Sequence, residues 1–242
     1  TRRTAYPDNS GVTGQLERTL LSTKNKIPFL SEQSPEYRDA WGRTTENHQG
    51  GESLLGNLAY QILSPGYVSE DKSTPVDIYV QSLYNTTGNP NVLPENMSRS
   101  YKIGNGNFKL SGEEYSRAQR MAGKMSYDLA EYLRTNQSDI SKSTQADMIE
   151  DLYGLSQAVA YNKVGGKPLS EANAKLYGIY QDEGTDMLVQ YLSMRAAADA
   201  DGNGSTSQEE ARNYLDSTSL SNLQKAYLWQ MANKSWKKNP YE

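Results

Sequence analysis

A run of twelve residues constrains this chain more than any other stretch: Asp199-Ala200-Asp201-Gly202-Asn203-Gly204-Ser205-Thr206-Ser207-Gln208-Glu209-Glu210. A calcium ion takes about 6–8 oxygens, and a loop of this length delivers them from positions 1, 3, 5, 7, 9 and 12. Asp199, Asp201 and Asn203 fill the first three of those places, and Ser205 offers its backbone carbonyl. Ser207 would bind directly or through a water, and Glu210 would close the shell with two oxygens. Gly204 falls at the sixth position, where the chain must turn sharply and a Cβ is costly.

This is the loop pattern of an EF-hand, and its flanks agree with that reading. Residues 186–198 predict an entering helix with Leu188, Tyr191, Leu192 and Arg195 on one face, and residues 207–215 predict a short exit helix. The alternative is an Asp/Asn/Gly-rich surface turn without metal, but a turn does not require a glutamate at the twelfth place. Thr206 takes the eighth position, normally a branched apolar residue that pairs with a second loop, and the chain has no second loop of this pattern. Sensor EF-hands work in pairs and open a groove, so a lone hand predicts a structural clip. Without a dication Asp199, Asp201 and Glu210 repel one another, so folding of the C-terminal region is expected to be coupled to Ca²⁺.

The 242 residues suffice for one large or two small domains. A net charge of −4 argues against a general nucleic-acid surface. The chain lacks cysteine, which excludes disulfide and thiol chemistry, and its single histidine, His48, makes a His/Cys zinc site untenable. Tyrosine outnumbers phenylalanine 18 to 2, and the mean hydropathy is −0.81, which predicts solvated helices and polar loops. No apolar run approaches the ~20 residues of a membrane span, and no secretion signal stands at the start. The first residue is Thr1 rather than Met, so the chain is expected to be a processed product or part of a longer one.

Three segments are expected: an extended arm over 1–50, a helical domain over 51–165 with a hairpin at 101–110, and a helical C-terminal subdomain over 166–242. Residues 15–26 and 52–63 predict short helices, and Tyr37 and Trp41 are expected anchors in the loop between them. Thr74-Pro75-Val76-Asp77 reads as a helix start, with an N-cap, a first-turn proline and a carboxylate at N3. Gly88 ends that helix. Gly104-Asn105-Gly106, between short β-prone runs, predicts the one hairpin. Ser111-Gly112-Glu113-Glu114 reads as a capping box opening a long helix to about Arg134. A second long helix carries Met148, Leu152, Leu155 and Val159, and the short connection implies antiparallel packing. Gly165-Gly166-Lys167-Pro168 breaks the chain. A last helix is expected over 220–236, carrying Leu223, Tyr227, Leu228 and Met231. The fold class is therefore mostly α: an antiparallel helical bundle with one small β-hairpin and a C-terminal EF-hand-like helix-loop-helix.

Catalytic constellations are weaker. His48 reads as a solvated loop residue, and no Ser/His/Asp set or G-x-S-x-G is present. Gly104-Asn105-Gly106 lacks the lysine and spacing of a phosphate loop. Glu113/Glu114, Glu150/Asp151 and Asp182/Glu183 read as caps or solvated helix surface rather than paired acid and base. Arg2/Arg3 and Lys234/Lys237/Lys238 cluster at the two ends; the lysines suit a helix C-terminus better than a phosphate site.

Several short motifs in order carry a family resemblance. They include Arg2-Arg3-Thr4-Ala5-Tyr6, Lys26-Ile27-Pro28-Phe29-Leu30-Ser31, Asp39-Ala40-Trp41-Gly42-Arg43, Leu63-Ser64-Pro65-Gly66-Tyr67, Ser73-Thr74-Pro75-Val76-Asp77 and Lys109-Leu110-Ser111-Gly112-Glu113-Glu114-Tyr115. The tail from Asp201 through Trp229 to Tyr241 adds to them. Together they cover most of residues 1–115 and 195–241. The order resembles a region of very large bacteriophage polyvalent or internal-virion proteins, tape-measure-like in role. The resemblance implies the C-terminal part of a virion component held inside the capsid or tail, or delivered into the host. Its partners would be other tail, portal or core proteins, with self-association open. No catalytic residues are carried over, and no specific nucleic-acid partner is expected. The function expected is thus non-enzymatic and structural, with one Ca²⁺ at Asp199, Asp201, Asn203, Ser205, Ser207 and Glu210. The alternatives are a dockerin-like calcium-dependent binding module with a single loop, and a phage cell-wall hydrolase segment.

Overall fold

Thr74 caps the first helix of the described residues, as the sequence predicts. The computed structural model describes residues 38–43, 74–137, 140–198, 206–233, 236 and 238–242. In helix α1 (Pro75–Thr87) the Thr74 hydroxyl accepts from the Asp77 amide, and the Asp77 carboxylate accepts from the Thr74 amide at 2.8 Å. Reciprocal capping of this kind satisfies two amides that the helix leaves without partners. Gly88, at φ 69°, ends the helix in the left-handed region. Val76, Tyr79, Val80 and Leu83 form its buried face.

A 3₁₀ turn (Pro90–Val92) leads to the hairpin of β1 (Ser100–Ile103) and β2 (Gly106–Lys109). Ile103 pairs with Gly106 and Tyr101 with Phe108, so the turn is the two residues Gly104-Asn105. The Tyr101 and Phe108 rings stack at 5.8 Å, and the Tyr101 hydroxyl donates to the Gly165 carbonyl at 2.6 Å. That bond seats the hairpin on Gly165, the last residue of the helix Lys142–Gly165.

Helices α2 (Gly112–Asn136) and α3 (Lys142–Gly165) form the centre. The capping box of α2 is the expected pair, Ser111 and Glu114. The link between the helices is short, and their opposite ends meet, as antiparallel packing requires. Ala118 and Ala122 near the start of α2 share a cluster with Ala160 and Tyr161 near the end of α3. The expected stripe of Met148, Leu152, Leu155 and Val159 is buried. Helix α4 (Glu171–Ala198) lies against α3 and is broken at Gly184 (φ 83°, ψ −174°) into two pieces, the second containing the entering helix expected at 186–198. Helices α5 (Gln208–Ser217) and α6 (Asn222–Ala232) pack on α4 and on each other. One apolar cluster runs from Trp41 through all six α-helices of the described residues to Trp229 and continues across the break at 165–168. Among the described residues the molecule is mostly helical with a single small hairpin. No helix among the described residues is long and apolar enough to cross a membrane.

The last helix is shorter than expected, covering 222–232 instead of 220–236. Ser221 and Gln224 form its capping box, and the helix stops at Asn233. The chain then turns back. Trp236 packs on Trp229 with tilted rings 4.5 Å apart between centres, Tyr241 meets Trp229 edge-on, and the Trp229 indole donates to the Lys238 carbonyl. Folding the aromatics back covers Trp229 better than a straight continuation would. Leu223 is 83% exposed in the first turn; Ala226, Leu228 and Trp229 set the covered face. The helices expected at 15–26 and 52–63, and Tyr37, lie outside the described residues.

Segment 38–43 docks on α2 by backbone contact. A Cβ added at Gly123 would lie 2.1 Å from the Trp41 carbonyl carbon, and one at Gly42 would lie 2.7 Å from the Arg120 Cα. The Gln119 amide holds the segment from below, donating to the carbonyls of Asp39 and Ala40 at 3.0 and 3.2 Å. Trp41 is buried edge-on between Tyr127 and Tyr153, and its indole donates to Asp77 at 2.6 Å. Trp41 is thus the anchor that the sequence suggests.

Candidate functional site

The two helices that flank the twelve-residue loop are fixed independently of it. The second half of α4 buries Met187, Leu188, Val189, Tyr191, Leu192 and Met194, leaving Arg195 exposed. Helix α5 buries Ala211 and Leu215. The Tyr214 hydroxyl donates to Gln190 on α4 at 3.1 Å, and the Tyr241 hydroxyl donates to Asp216 at 2.9 Å. Burial, then the Asp216 carboxylate, pushes the Tyr241 phenol up to about 12, so it remains a donor at any neutral pH. The exit helix is thereby tied to the entering helix on one side and to the C-terminal hook on the other.

The helix boundaries bracket the twelve-residue stretch. α4 ends at Ala198, one residue before Asp199, and α5 begins at Gln208, one residue after Ser207. Ser207 is the N-cap. Its hydroxyl accepts from the Glu210 amide at 3.2 Å, and Glu210 Oε2 accepts from the Ser207 amide at 2.9 Å. This is the same S-x-x-E logic that opens α2, so Ser207 and Glu210 have a folding role whether or not metal is present. A carboxylate has about four lone-pair sites, so this one amide bond leaves acceptor capacity for a cation.

Of the six expected ligands, Ser207 and Glu210 are brought together; Asp199, Asp201, Asn203 and Ser205 lie outside the described residues. Thr206, at the eighth position, is half-buried. Among the described residues, no group of three or more His, Cys, Asp or Glu side chains is gathered as a metal site. The ligand set fits calcium by chemistry, being all oxygen with three carboxylates.

The remaining candidates are placed as follows. Glu114 caps α2, and its bonds to the Ser111 amide and hydroxyl lower its carboxyl. Glu150 accepts from Asn91 at 3.0 Å and stands exposed. Asp151 is raised by burial, with Arg195 opposing and Glu150 and Asp147 adding to the rise. Asp182 and Glu183 precede the Gly184 break on an exposed surface. His48, Arg2, Arg3, Lys234 and Lys237 lie outside the described residues, and Lys238 contributes its carbonyl to the hook. The sequence reading missed a group of cations beside Trp41, contributed by segment 38–43 and α2. Its one local signal is the four-residue spacing of Arg120 and Lys124, which places both on one helix face. No protein-family model, curated protein or solved structure matches the chain.

Proposed function

We propose that this chain is a non-enzymatic structural segment whose C-terminal helices are clamped by one Ca²⁺, and that it serves in a bacteriophage virion. The observation that carries the calcium reading is the helix interruption itself. α4 stops before the first ligand position, α5 starts after the ninth, and the twelfth residue sits in the first turn of α5 with its carboxylate already directed back at the loop. A dication bound there ties α4 to α5 through Asp199, Asp201, Asn203, Ser205, Ser207 and Glu210 and relieves the repulsion among three carboxylates. The clamp would fix the junction of a helix pair that is already packed through Ala211 and Leu215 and bonded from Tyr214 to Gln190. The virion setting is supported by the order of the short motifs in residues 1–115 and 195–241.

Thermal unfolding with calcium and with chelator tests the clamp. A ligand at about 100 times its Kd adds about 2.7 kcal/mol. Glu210→Gln is the informative variant, because glutamine at N3 still completes a capping box but supplies one neutral oxygen instead of two charged ones. The expected outcome is a calcium-dependent rise in Tm that Glu210→Gln abolishes. Ser207→Ala should lower stability by about 1 kcal/mol with or without calcium. A Tm indifferent to calcium refutes the clamp. Mass spectrometry of purified particles tests the setting, and particles without peptides of this chain refute it.

A further inference from the structure

A narrow cleft of about 10 Å³ lies where α2, α3, segment 38–43 and the loop after the 3₁₀ turn meet. A buried water needs roughly 10–15 Å³, whereas organic ligands occupy roughly 300 Å³ or more. Size alone therefore restricts an occupant of the cleft to one very small molecule. Met97 and Ala122 line it and are buried, so their methyl groups are shielded from bulk solvent.

The polar side chains around the cleft are unequally satisfied. Gln119 donates to the carbonyls of Asp39 and Ala40 and accepts from the Met97 amide. The Tyr153 hydroxyl donates to the Val92 carbonyl at 3.1 Å. Ser126 and Gln157 also line the cleft, and neither side chain has a hydrogen-bond partner among the described residues. Ser126 decides the matter, because it is only 7% exposed and sits in the interior of α2. A helical serine can return its hydroxyl to the carbonyl four residues back, as Ser156 does to Leu152 at 2.7 Å in α3. Ser126 makes no such bond to Ala122. Buried polar groups in proteins are nearly always bonded, because an unpaired one loses its hydration for nothing in return.

We propose that one water molecule is a resident part of this fold, bound in the cleft as a bridge between the Ser126 hydroxyl on α2 and the Gln157 side-chain amide on α3. Water both donates and accepts, which suits a hydroxyl on one side and an amide on the other. A bridge through water is nearly as favourable as a direct hydrogen bond. A bare cation has less to hold it, since Ser126 and Gln157 are neutral and Glu95, the one charged group in the lining, is exposed. The two helices otherwise meet in this region through apolar contacts, with Ala118 and Ala122 clustered with Ala160 and Tyr161. The water adds a directional tie to that apolar contact. The site is independent of the calcium loop.

Two measurements on the full chain test the assignment. A high-resolution crystal structure is expected to show a density peak within about 3.2 Å of both the Ser126 Oγ and the Gln157 amide. In solution, water-to-methyl Overhauser cross-peaks are expected at Ala122 and Met97, with the sign of a water that tumbles with the protein. Gln157→Leu removes one partner and keeps the Ser126 hydroxyl, so those cross-peaks should fall to background. Cross-peaks that merely relay exchange from the hydroxyl would survive that variant. Ser126→Ala should abolish the density peak as well. Ser156→Ala removes a buried hydroxyl that is bonded within its own helix and lies outside the cleft lining, and should leave the cross-peaks unchanged. An empty cleft with the Ser126 hydroxyl turned to the Ala122 carbonyl, cross-peaks undiminished in Gln157→Leu, or equal loss in Ser156→Ala would each overturn the proposal.

Discussion

Replacing Gly123 with alanine sets two effects against each other. Gly123 lies in the interior of α2, and there alanine outperforms glycine by about 1 kcal/mol through backbone entropy. The structure opposes this gain. A Cβ at Gly123 would lie 2.1 Å from the Trp41 carbonyl carbon, 2.2 Å from the Gly42 nitrogen and 2.6 Å from the Trp41 oxygen. All three are backbone atoms, so no flexible side chain can swing aside. Carbon atoms pack at about 3.5–4.0 Å, so segment 38–43 must retreat by more than roughly 1 Å. Retreat lengthens the Gln119 bonds to Asp39 and Ala40 and draws the Trp41 indole from Asp77 and from its seat between Tyr127 and Tyr153. Overpacking costs about 1–3 kcal/mol, and a clash with backbone on every side belongs at the upper end. The net expectation is a loss of about 2 kcal/mol. Urea denaturation followed by circular dichroism gives the magnitude, and a red shift in tryptophan emission reports Trp41 leaving its seat. Gly154→Ala is the control. Gly154 is an exposed position in α3, and a Cβ there would meet nothing within 4 Å, so the same substitution should stabilise by about 0.5–1 kcal/mol. If Gly123→Ala stabilises as Gly154→Ala does, the close approach of segment 38–43 to α2 is refuted.

Two further outcomes follow from buried polar groups and from charge. Gln119 is buried, donates to two carbonyls and accepts from the Met97 amide, so Gln119→Leu should cost about 3 kcal/mol by stranding those groups; a loss under about 1 kcal/mol in urea denaturation would contradict the bonding. Asp151 is raised above its ordinary 3.8 by burial, so the folded state holds the proton more tightly and ionisation opposes folding at neutral pH. Stability from this group is therefore gained as pH falls through the raised value. Asp151→Asn should raise Tm near neutral pH and lose that advantage near 3.8, and a flat difference across pH would argue against the shift.

The parts of the fold that were legible in the sequence are those whose causes are local. Thr74 with Asp77 and Ser111 with Glu114 cap their helices because the spacing of an acceptor and a carboxylate is a property of four consecutive residues. The turn at Gly104-Asn105 and the stripe of Met148, Leu152, Leu155 and Val159 are local in the same sense. Gly123 gives no such signal, since a glycine in a helical pattern does not say which distant backbone rests on it. The end of α6 misled for a related reason. Periodicity carried the helix to Trp236, whereas the energetic choice was made by Trp229, whose exposed face Trp236 and Tyr241 cover only if the chain reverses. The group of cations beside Trp41 needs Arg38 and Arg43 to meet Arg120 and Lys124, and nothing in either stretch announces the other.

The C-terminal hook also bears on what calcium would do. A ten-residue helix such as α5 is marginal alone, and it buries only Ala211 and Leu215 fully. It is nevertheless held by Tyr214 to α4 and by Asp216 to Tyr241, and Tyr241 packs on Trp229 of α6. These contacts do not involve the loop. Calcium is therefore not needed to place α5 against the core; what it would supply is the rigidity of the junction between Ala198 and Gln208. The sequence alone, with three carboxylates around one site, suggested that the whole C-terminal region folds with the metal. Under the proposed calcium reading, this packing would confine the coupling to the helix junction. If calcium binds as proposed, its removal should loosen the angle between α4 and α5 while leaving the Trp229 cluster closed. A segment built this way can keep its core intact while the geometry it presents to a neighbour responds to the ion.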